Sequence, residues 1–170
     1  MLTIENEFEV LAIEVGRQLS QRGWMLATAE SCTGGMISAA VTAIAGSSAW
    51  FERGFVTYSY AAKSESLGVP AAMITTLGAV SEAVAGAMAE GALAHSHADA
   101  AVAVTGIAGP GGGAPDKPVG MVCFGWAFRG QPAATSTRQF AGDRASIRAQ
   151  TVRHALEGLL ERLDSHPIAR

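Results

Sequence analysis

The stretch of sequence that decides the fold is Ala98-Asp-Ala-Ala-Val-Ala-Val-Thr-Gly-Ile-Ala-Gly-Pro-Gly-Gly-Gly-Ala-Pro-Asp-Lys-Pro-Val-Gly120. Its first part is apolar and contains valines, which predicts a buried strand over Ala98–Thr105. The remainder, Thr105–Gly120, holds six glycines and three prolines, and a second strand-like segment follows at Met121–Phe128. Glycine permits backbone conformations closed to other residues, and proline stiffens the path. Because such a loop can offer N–H groups to an anion at the end of a strand, the run predicts a small-molecule site, in particular for a phosphate.

The same run has a second interpretation. Glycine and proline also punctuate ordinary surface connections. The run matches neither G-x-x-x-x-G-K-[ST] nor a G-x-G-x-x-G that opens a helix. Composition alone therefore does not decide between a ligand-binding loop and a plain connector.

Composition limits the kind of protein that this chain can be. Its 170 residues, 49% of them apolar, suffice for a full core, and we expect a single domain over 1–170. The formal net charge is −3 and no lysine-arginine patch is present, which argues against a nucleic-acid partner. Two cysteines fit a reducing compartment. The acidic start does not resemble a signal peptide, and no apolar run reaches the ~20 residues of a membrane helix. We expect a cytoplasmic protein with no membrane contact.

The balance of basic residues is uneven. The chain has ten arginines and two lysines, Lys63 and Lys117. Of the two residue types, only lysine loses its proton near neutral pH when it is desolvated. A coding bias explains the excess of arginine but not the positions of the two lysines, which are therefore candidates for a specific role.

Segments with the pattern of a helix alternate along the chain with segments that have the pattern of a strand. This order predicts a three-layer α/β/α sandwich with a mixed, mostly parallel sheet and a C-terminal β-hairpin. Apolar residues at helical spacing predict five helices, over Phe8–Arg22, Thr33–Ile44, Ala62–Leu67, Ser81–His95 and Asp143–Leu163. β-Branched and aromatic residues predict five strands, over Trp24–Glu30, Phe51–Ser59, Asp99–Thr105, Val119–Phe128 and Ala133–Phe140.

The turn Ala29-Glu-Ser-Cys-Thr-Gly-Gly35 joins a predicted strand to a predicted helix. Ser31 and Thr33 are therefore expected at or beside the first helical turn, where unpaired N–H groups favour an anion or an oxyanion. Ser31 is either a helix N-cap or a nucleophile whose tetrahedral intermediate these N–H groups stabilise. Cys32 is interpreted as a small buried residue rather than a second nucleophile.

A serine nucleophile requires a base, and Lys63 is the candidate. No histidine is predicted at the carboxyl end of a strand, so a Ser-His-Asp triad has little support. Lys63 follows the strand Phe51–Ser59, and parallel pairing with Trp24–Glu30 would bring it to the sheet edge that carries Ser31. A desolvated amine there could take the serine proton, with Tyr58 relaying that proton or orienting the amine. The alternatives are a solvated charge for Lys63 and sheet packing for Tyr58.

Three segments of the chain form a set: Ala29–Gly35, the stretch from Val56-Thr-Tyr58 through Lys63 to Leu67-Gly-Val69, and Thr105–Gly113 with Lys117-Pro-Val-Gly120. In this order and at this spacing they resemble the CinA C-terminal domain family, the nicotinamide-nucleotide amidases (nicotinamide mononucleotide deamidases) of bacteria. The resemblance covers about residues 6–163.

The resemblance implies hydrolysis of the carboxamide of nicotinamide mononucleotide to nicotinate mononucleotide and ammonia, in pyridine nucleotide (NAD) recycling. It implies a serine nucleophile assisted by lysine and tyrosine, and these roles fall on Ser31, Lys63 and Tyr58. The implied ligand is a small-molecule nucleotide, and no metal or other cofactor is implied. The implied substrate-binding residues are Thr33, Gly34, Gly35, Thr105, Gly106, Gly109, Gly111, Gly112 and Arg144.

Several questions stay open at this level. Tyr60-Ala61 stands where polar residues such as Asn or Glu are expected in the family, which puts an adjacent substrate contact in doubt. Residue types do not decide whether Arg144 or Lys117 contacts the phosphate, or whether Lys63 or Tyr58 is the proximal base. The alternatives to an enzyme are a non-catalytic nucleotide-binding module and a competence- or damage-related interaction protein. Small-residue helix faces are compatible with a homodimer or a higher homo-oligomer.

Overall fold

A five-stranded sheet lies between two layers of helices in the computed structural model, which describes residues 7–166 and 168. The strands, in the spatial order β2-β1-β3-β4-β5, are β1 (Leu26–Glu30), β2 (Phe51–Val56), β3 (Ala100–Gly106), β4 (Met121–Phe128) and β5 (Ala134–Gln139). The helices are α1 (Glu9–Arg22), α2 (Met36–Thr42), α3 (Tyr60–Leu67), α4 (Ala71–Leu77), α5 (Glu82–Ala94) and α6 (Arg144–Asp164), and a short 3₁₀ helix covers Ser47–Ala49. Within the described part of the chain, no helix is long and apolar enough to cross a membrane.

The sheet is mixed, as predicted. Strands β2, β1 and β3 run parallel, whereas β4 and β5 form an antiparallel hairpin beside β3. Glu30, the last residue of β1, pairs with Val56 on one side and Val104 on the other. Three loops therefore leave the sheet side by side at one edge, and this edge carries the candidate site. The predicted α/β sandwich and the parallel pairing of β1 with β2 are confirmed.

Each face of the sheet has its own apolar core. Helices α1, α2 and α6 cover one face, and α3, α4 and α5 cover the other. Small residues bring α5 close to the sheet, since a Cβ at Gly125 of β4 would lie 2.4 Å from the carbonyl oxygen of Ala85. The first core includes Val15, Leu19, Ile37, Phe124, Trp126 and Leu156, and the second includes Leu67, Val84, Met88, Ala92 and Ala101.

The predicted strand Phe51–Ser59 ends at Val56, the helix predicted from Ala62 begins at Tyr60, and two differences are larger. Helix α2 begins at Met36 rather than Thr33, because Gly34 and Gly35 take left-handed φ angles of 58° and 105° and extend the turn after Ser31. Helix α4 was not predicted. Pro70 precedes it and Gly78 ends it.

Candidate active site

The side chains of Ser31 and Lys63 meet at the carboxyl edge of the parallel strands. Ser31 directly follows β1, and Lys63 lies in the first turns of α3, whose N-terminus is capped by the Ser59 hydroxyl. The Nζ atom of Lys63 is 2.9 Å from Ser31 Oγ. Both residues are buried, with 1% of Lys63 and 8% of Ser31 exposed. The parallel pairing of β1 and β2 therefore produces the contact that the sequence predicted only as a convergence of strand ends.

The surroundings of Lys63 suit a neutral amine. Nζ also donates to the carbonyl oxygens of Thr57 and Tyr58, at 3.0 and 3.2 Å. A neutral amine has two N–H groups, which match these two carbonyls, and one lone pair, which is then free to accept the hydroxyl proton of Ser31. Burial lowers the pKa of Lys63 because desolvation penalises the charged form. The site thus holds the serine hydroxyl against a base.

Glu30 shapes the turn that carries Ser31, and sequence reasoning gave it no role. Its carboxylate is fully buried and accepts four hydrogen bonds: from the Thr33 hydroxyl at 2.6 Å, the Ile37 N–H at 2.8 Å, and the Ser38 N–H and hydroxyl at 3.0 and 2.8 Å. These N–H groups belong to the first turn of α2. The expectation that they serve an oxyanion at Ser31 is therefore corrected, because Glu30 already occupies them.

The same turn is tied to α6 from the other side. Arg148 donates to the carbonyl oxygens of Cys32 and Thr33, each at 3.1 Å. The Ser31 N–H bonds the Val104 carbonyl of β3 at 3.1 Å, so the backbone of the candidate nucleophile continues the sheet. These contacts come from residues far apart in sequence, and no local pattern indicates Arg148.

A cavity of about 270 Å³ opens beside the Ser31–Lys63 pair. Its lining comes from five places in the chain: the Ser31–Cys32 turn, residues 58–63, residues 79–80, the glycine-rich segment 105–112, and Arg144. Arg144 lies in this lining together with the Lys63 amine, and the lining contains no carboxylate among the described residues. A cavity with this charge balance favours an anionic ligand.

Arg144 spans the mouth of this cavity. Its guanidinium donates to the Gly109 carbonyl at 2.8 Å and to the Tyr58 hydroxyl at 3.2 Å. The Tyr58 side chain is 60% exposed, and Tyr58 contacts Lys63 through its main-chain oxygen. The relay predicted for the Tyr58 hydroxyl is not made in this structure, in which that hydroxyl bonds Arg144.

The predicted substrate-binding residues fall into two groups. Those that line the cavity are Thr105, Gly106, Gly109, Gly111, Gly112 and Arg144. Three others do not line it, which corrects their predicted place: Thr33 is fully buried against Glu30, and Gly34 and Gly35 lie in the turn below. Tyr60, which the sequence marked as unusual for the family, does line it.

Two further side chains at the site are already engaged. The Thr105 hydroxyl is buried and donates to the Ala79 carbonyl at 2.8 Å. Burial raises the pKa of the Cys32 thiol to about 11, so little thiolate forms at neutral pH. No histidine contributes to the lining formed by the described residues, which leaves Lys63 as the group placed to act as a base on Ser31.

This arrangement belongs to a known family. The model of the CinA C-terminal domain matches residues 8–163, and the chain belongs to that family. It is 51% identical to the nicotinamide-nucleotide amidohydrolase PncC of Enterobacter agglomerans, over 92% of this chain and 95% of the relative. It is 52% identical to the protein of the same name from Pseudomonas putida, over 89% of this chain and 94% of the relative. The crystal structure of the competence/damage inducible protein CihA from Agrobacterium tumefaciens superposes with a TM-score of 0.91 at 47% identity, covering 96% and 99% of the two chains.

We expect Glu30→Gln to destabilise the protein. An amide presents one oxygen and one NH₂ group to four donors, so at least one buried hydrogen bond is lost and two donors face each other. The free energy of unfolding should fall by about 1–3 kcal/mol. Urea unfolding followed by circular dichroism measures this, with the exposed Glu157→Gln as matched control. An equal stability of the two variants would contradict the role assigned to Glu30.

Proposed function

We propose that this protein is a nicotinamide-nucleotide amidohydrolase, which converts nicotinamide mononucleotide to nicotinate mononucleotide and ammonia. The observation that carries the proposal is the 2.9 Å contact between Ser31 Oγ and the buried Lys63 Nζ at the wall of the cavity. The names and the close similarity of the two amidohydrolase relatives support the substrate. The guanidinium of Arg144 in the lining supports a phosphate-bearing ligand.

In the proposed reaction, Ser31 Oγ attacks the carboxamide carbon while its proton passes to Lys63 Nζ. The tetrahedral intermediate then collapses, the C–N bond breaks, and the amide nitrogen takes the proton from Lys63 and leaves as ammonia. A water molecule attacks the resulting Ser31 ester and gives its proton to Lys63. Cleavage of the ester bond releases the carboxylate product, and the proton returns to Ser31 Oγ. Lys63 thus acts in turn as general base and general acid.

The oxyanion that forms in the tetrahedral intermediate needs hydrogen-bond donors. The N–H groups of Ile37 and Ser38 in α2 are already bound by Glu30, so the donors have to come from elsewhere. We assign this role to the backbone N–H groups of Cys32 and Ala108. Both residues line the cavity, and neither N–H has a hydrogen-bond acceptor among residues 7–166 and 168. Cys32 follows the nucleophile directly, and Ala108 lies in the glycine-rich segment opposite. Free N–H groups in a partly buried site stabilise negative charge more than they would in water.

Tyr58 has a positioning role in this scheme. Its carbonyl orients the Lys63 amine, and its hydroxyl holds Arg144 at the mouth of the cavity. Arg144 is placed to meet the phosphate of the substrate, whereas Lys117 lies outside the lining. The phosphate would compete with Gly109 and Tyr58 for the guanidinium, which is suited to bidentate binding.

Substitution of either member of the pair should abolish turnover. Ser31→Ala removes the nucleophile, and Lys63→Met removes the base, so each should lower kcat/KM for nicotinamide mononucleotide by at least about a thousandfold. Ammonia release measures the loss, and circular dichroism verifies the fold. Asp116→Asn, on the exposed part of the glycine-rich segment, is the control. A wild-type protein that binds the nucleotide in calorimetry yet forms no product would instead be a non-catalytic binding module.

The activity should rise with pH on the acid side. Below its pKa Lys63 is protonated and cannot accept the serine proton, and above it the amine is neutral and active. Because burial lowers this pKa, the neutral form is reached below the ordinary titration range of lysine. We expect kcat/KM to increase with pH between about pH 5 and 9, as a growing fraction of Lys63 becomes neutral. A profile that falls with rising pH across this range would rule out Lys63 as the base.

Arg144→Met should affect binding of the phosphate rather than the chemical step. We expect KM for nicotinamide mononucleotide to rise about tenfold, the equivalent of one charge-assisted hydrogen bond, with little change in kcat. Nicotinamide riboside, which lacks the phosphate, is the matched substrate, and its kcat/KM should be nearly the same for both proteins. An equal loss with both substrates would show that Arg144 acts on something other than the phosphate.

A further inference from the structure

Lys117 ties the glycine-rich segment to the opposite wall of the cavity. Its Nζ donates to the Leu77 carbonyl at 2.5 Å and to the Val80 carbonyl at 2.8 Å. Leu77 is the last residue of α4, and Val80 lies just before α5. One side chain therefore satisfies two carbonyls of a segment forty residues away in sequence.

The two segments that Lys117 joins both line the cavity. Ala79 and Val80 form part of one wall, and residues 105–112 form the other. The Thr105 hydroxyl also bonds the Ala79 carbonyl, at 2.8 Å, next to the end of β3. Lys117 lies outside the lining, so its contacts act at the outer end of the same pair of walls. The spacing of the walls is set by these two ties.

The glycine-rich segment is braced at its base and at its outer turn, and it contacts the opposite wall through Thr105 at one end and Lys117 at the other. At the base, the Gly120 N–H bonds the Ile107 carbonyl at 2.7 Å. At the outer turn, the N–H groups of Ala114 and Lys117 bond each other's carbonyls at 2.9 and 3.0 Å. This turn holds the backbone of Lys117 in place, so the Lys117 side chain connects the turn to residues 77–80.

The space at Gly78 fits the end of a lysine side chain. Gly78 has a left-handed φ of 84°, and a Cβ at this position would lie 2.4 Å from Lys117 Nζ. The terminal nitrogen of lysine is compact, whereas the planar fork of arginine is wider. This explains a lysine at 117 in a chain that otherwise uses arginine at all but one of its basic positions.

We propose that Lys117 is a positioning residue that fixes the distance between the two walls of the cavity and so sets the affinity for the substrate. The inference rests on the proposed function, since the cavity is taken as the substrate site. Without this tie the outer part of the glycine-rich segment has to be ordered when the ligand binds, and that cost weakens binding. The Ser31–Lys63 pair is held by separate contacts and keeps its geometry.

The first test is the kinetics of Lys117→Met. We expect KM for nicotinamide mononucleotide to rise about tenfold, with kcat within about threefold of the wild-type value. Gly78→Ala should give the same pattern with Lys117 intact, because its Cβ displaces the Nζ atom. Asp116→Asn changes the neighbouring side chain without touching the tie and should leave both constants unchanged. A fall in kcat at constant KM would overturn the proposal.

The second test does not need turnover. Amide hydrogen exchange in residues 107–119 and 77–80 should become faster in Lys117→Met and Gly78→Ala than in the wild type and in Asp116→Asn. Exchange that is equal in all four proteins would overturn the positioning role, even if the wild type proves to be an active amidase. If exchange is faster in the two variants and the wild type has no amidase activity, the tie stands and the proposed function is refuted.

Discussion

The contact on which the rest of the site depends is that of the buried Lys63 amine with one hydroxyl and two carbonyl oxygens. A lysine taken out of water is costly in its charged form and much less so in its neutral form, if each of its hydrogen-bonding groups finds a partner. Thr57 and Tyr58 supply the two acceptors, and Ser31 the hydroxyl proton. These partners satisfy the amine inside the protein, and they fit the role of base that we propose for Lys63. A shift of the Lys63 amine by about one ångström would break these hydrogen bonds. The turns that carry Ser31 and Lys63 therefore have to be held in place.

Buried polar contacts hold the turn that carries Ser31 in place. Glu30 binds the first turn of α2 with its carboxylate, and Arg148 binds the carbonyls of the turn from α6. Because Glu30 accepts from the N–H groups of Ile37 and Ser38, these groups of α2 are not free to bind an oxyanion. Any such donor has to come from the turn itself or from the glycine-rich segment. Helix α2 thus orients the turn that carries Ser31, the proposed nucleophile, and contributes no residue to the lining of the cavity.

Much of the fold was predictable because its signals are local. Apolar runs identified β1 and β3, helical periodicity identified α1 and α6, and the helix predicted from Ser81 is capped by the Ser81 hydroxyl. Helix α4 was missed because seven residues between Pro70 and Gly78 are too few to show a helical period. The start of α2 was misplaced because the left-handed φ angles of Gly34 and Gly35 extend the turn after Ser31.

The sequence by itself determined the fold class, the two lysines worth attention and the three segments that form the site. It did so because strand ends, glycines and a rare residue type can all be recognised without knowing their neighbours. Only the tertiary structure decided which groups touch. In the folded protein the Tyr58 hydroxyl bonds Arg144 rather than Lys63, and the Thr33 hydroxyl bonds Glu30 outside the cavity. Lys117 bonds the carbonyls of Leu77 and Val80. The physical reason is that a hydrogen bond acts over about 3 Å, and contacts at that range between distant segments are set by how helices and strands pack.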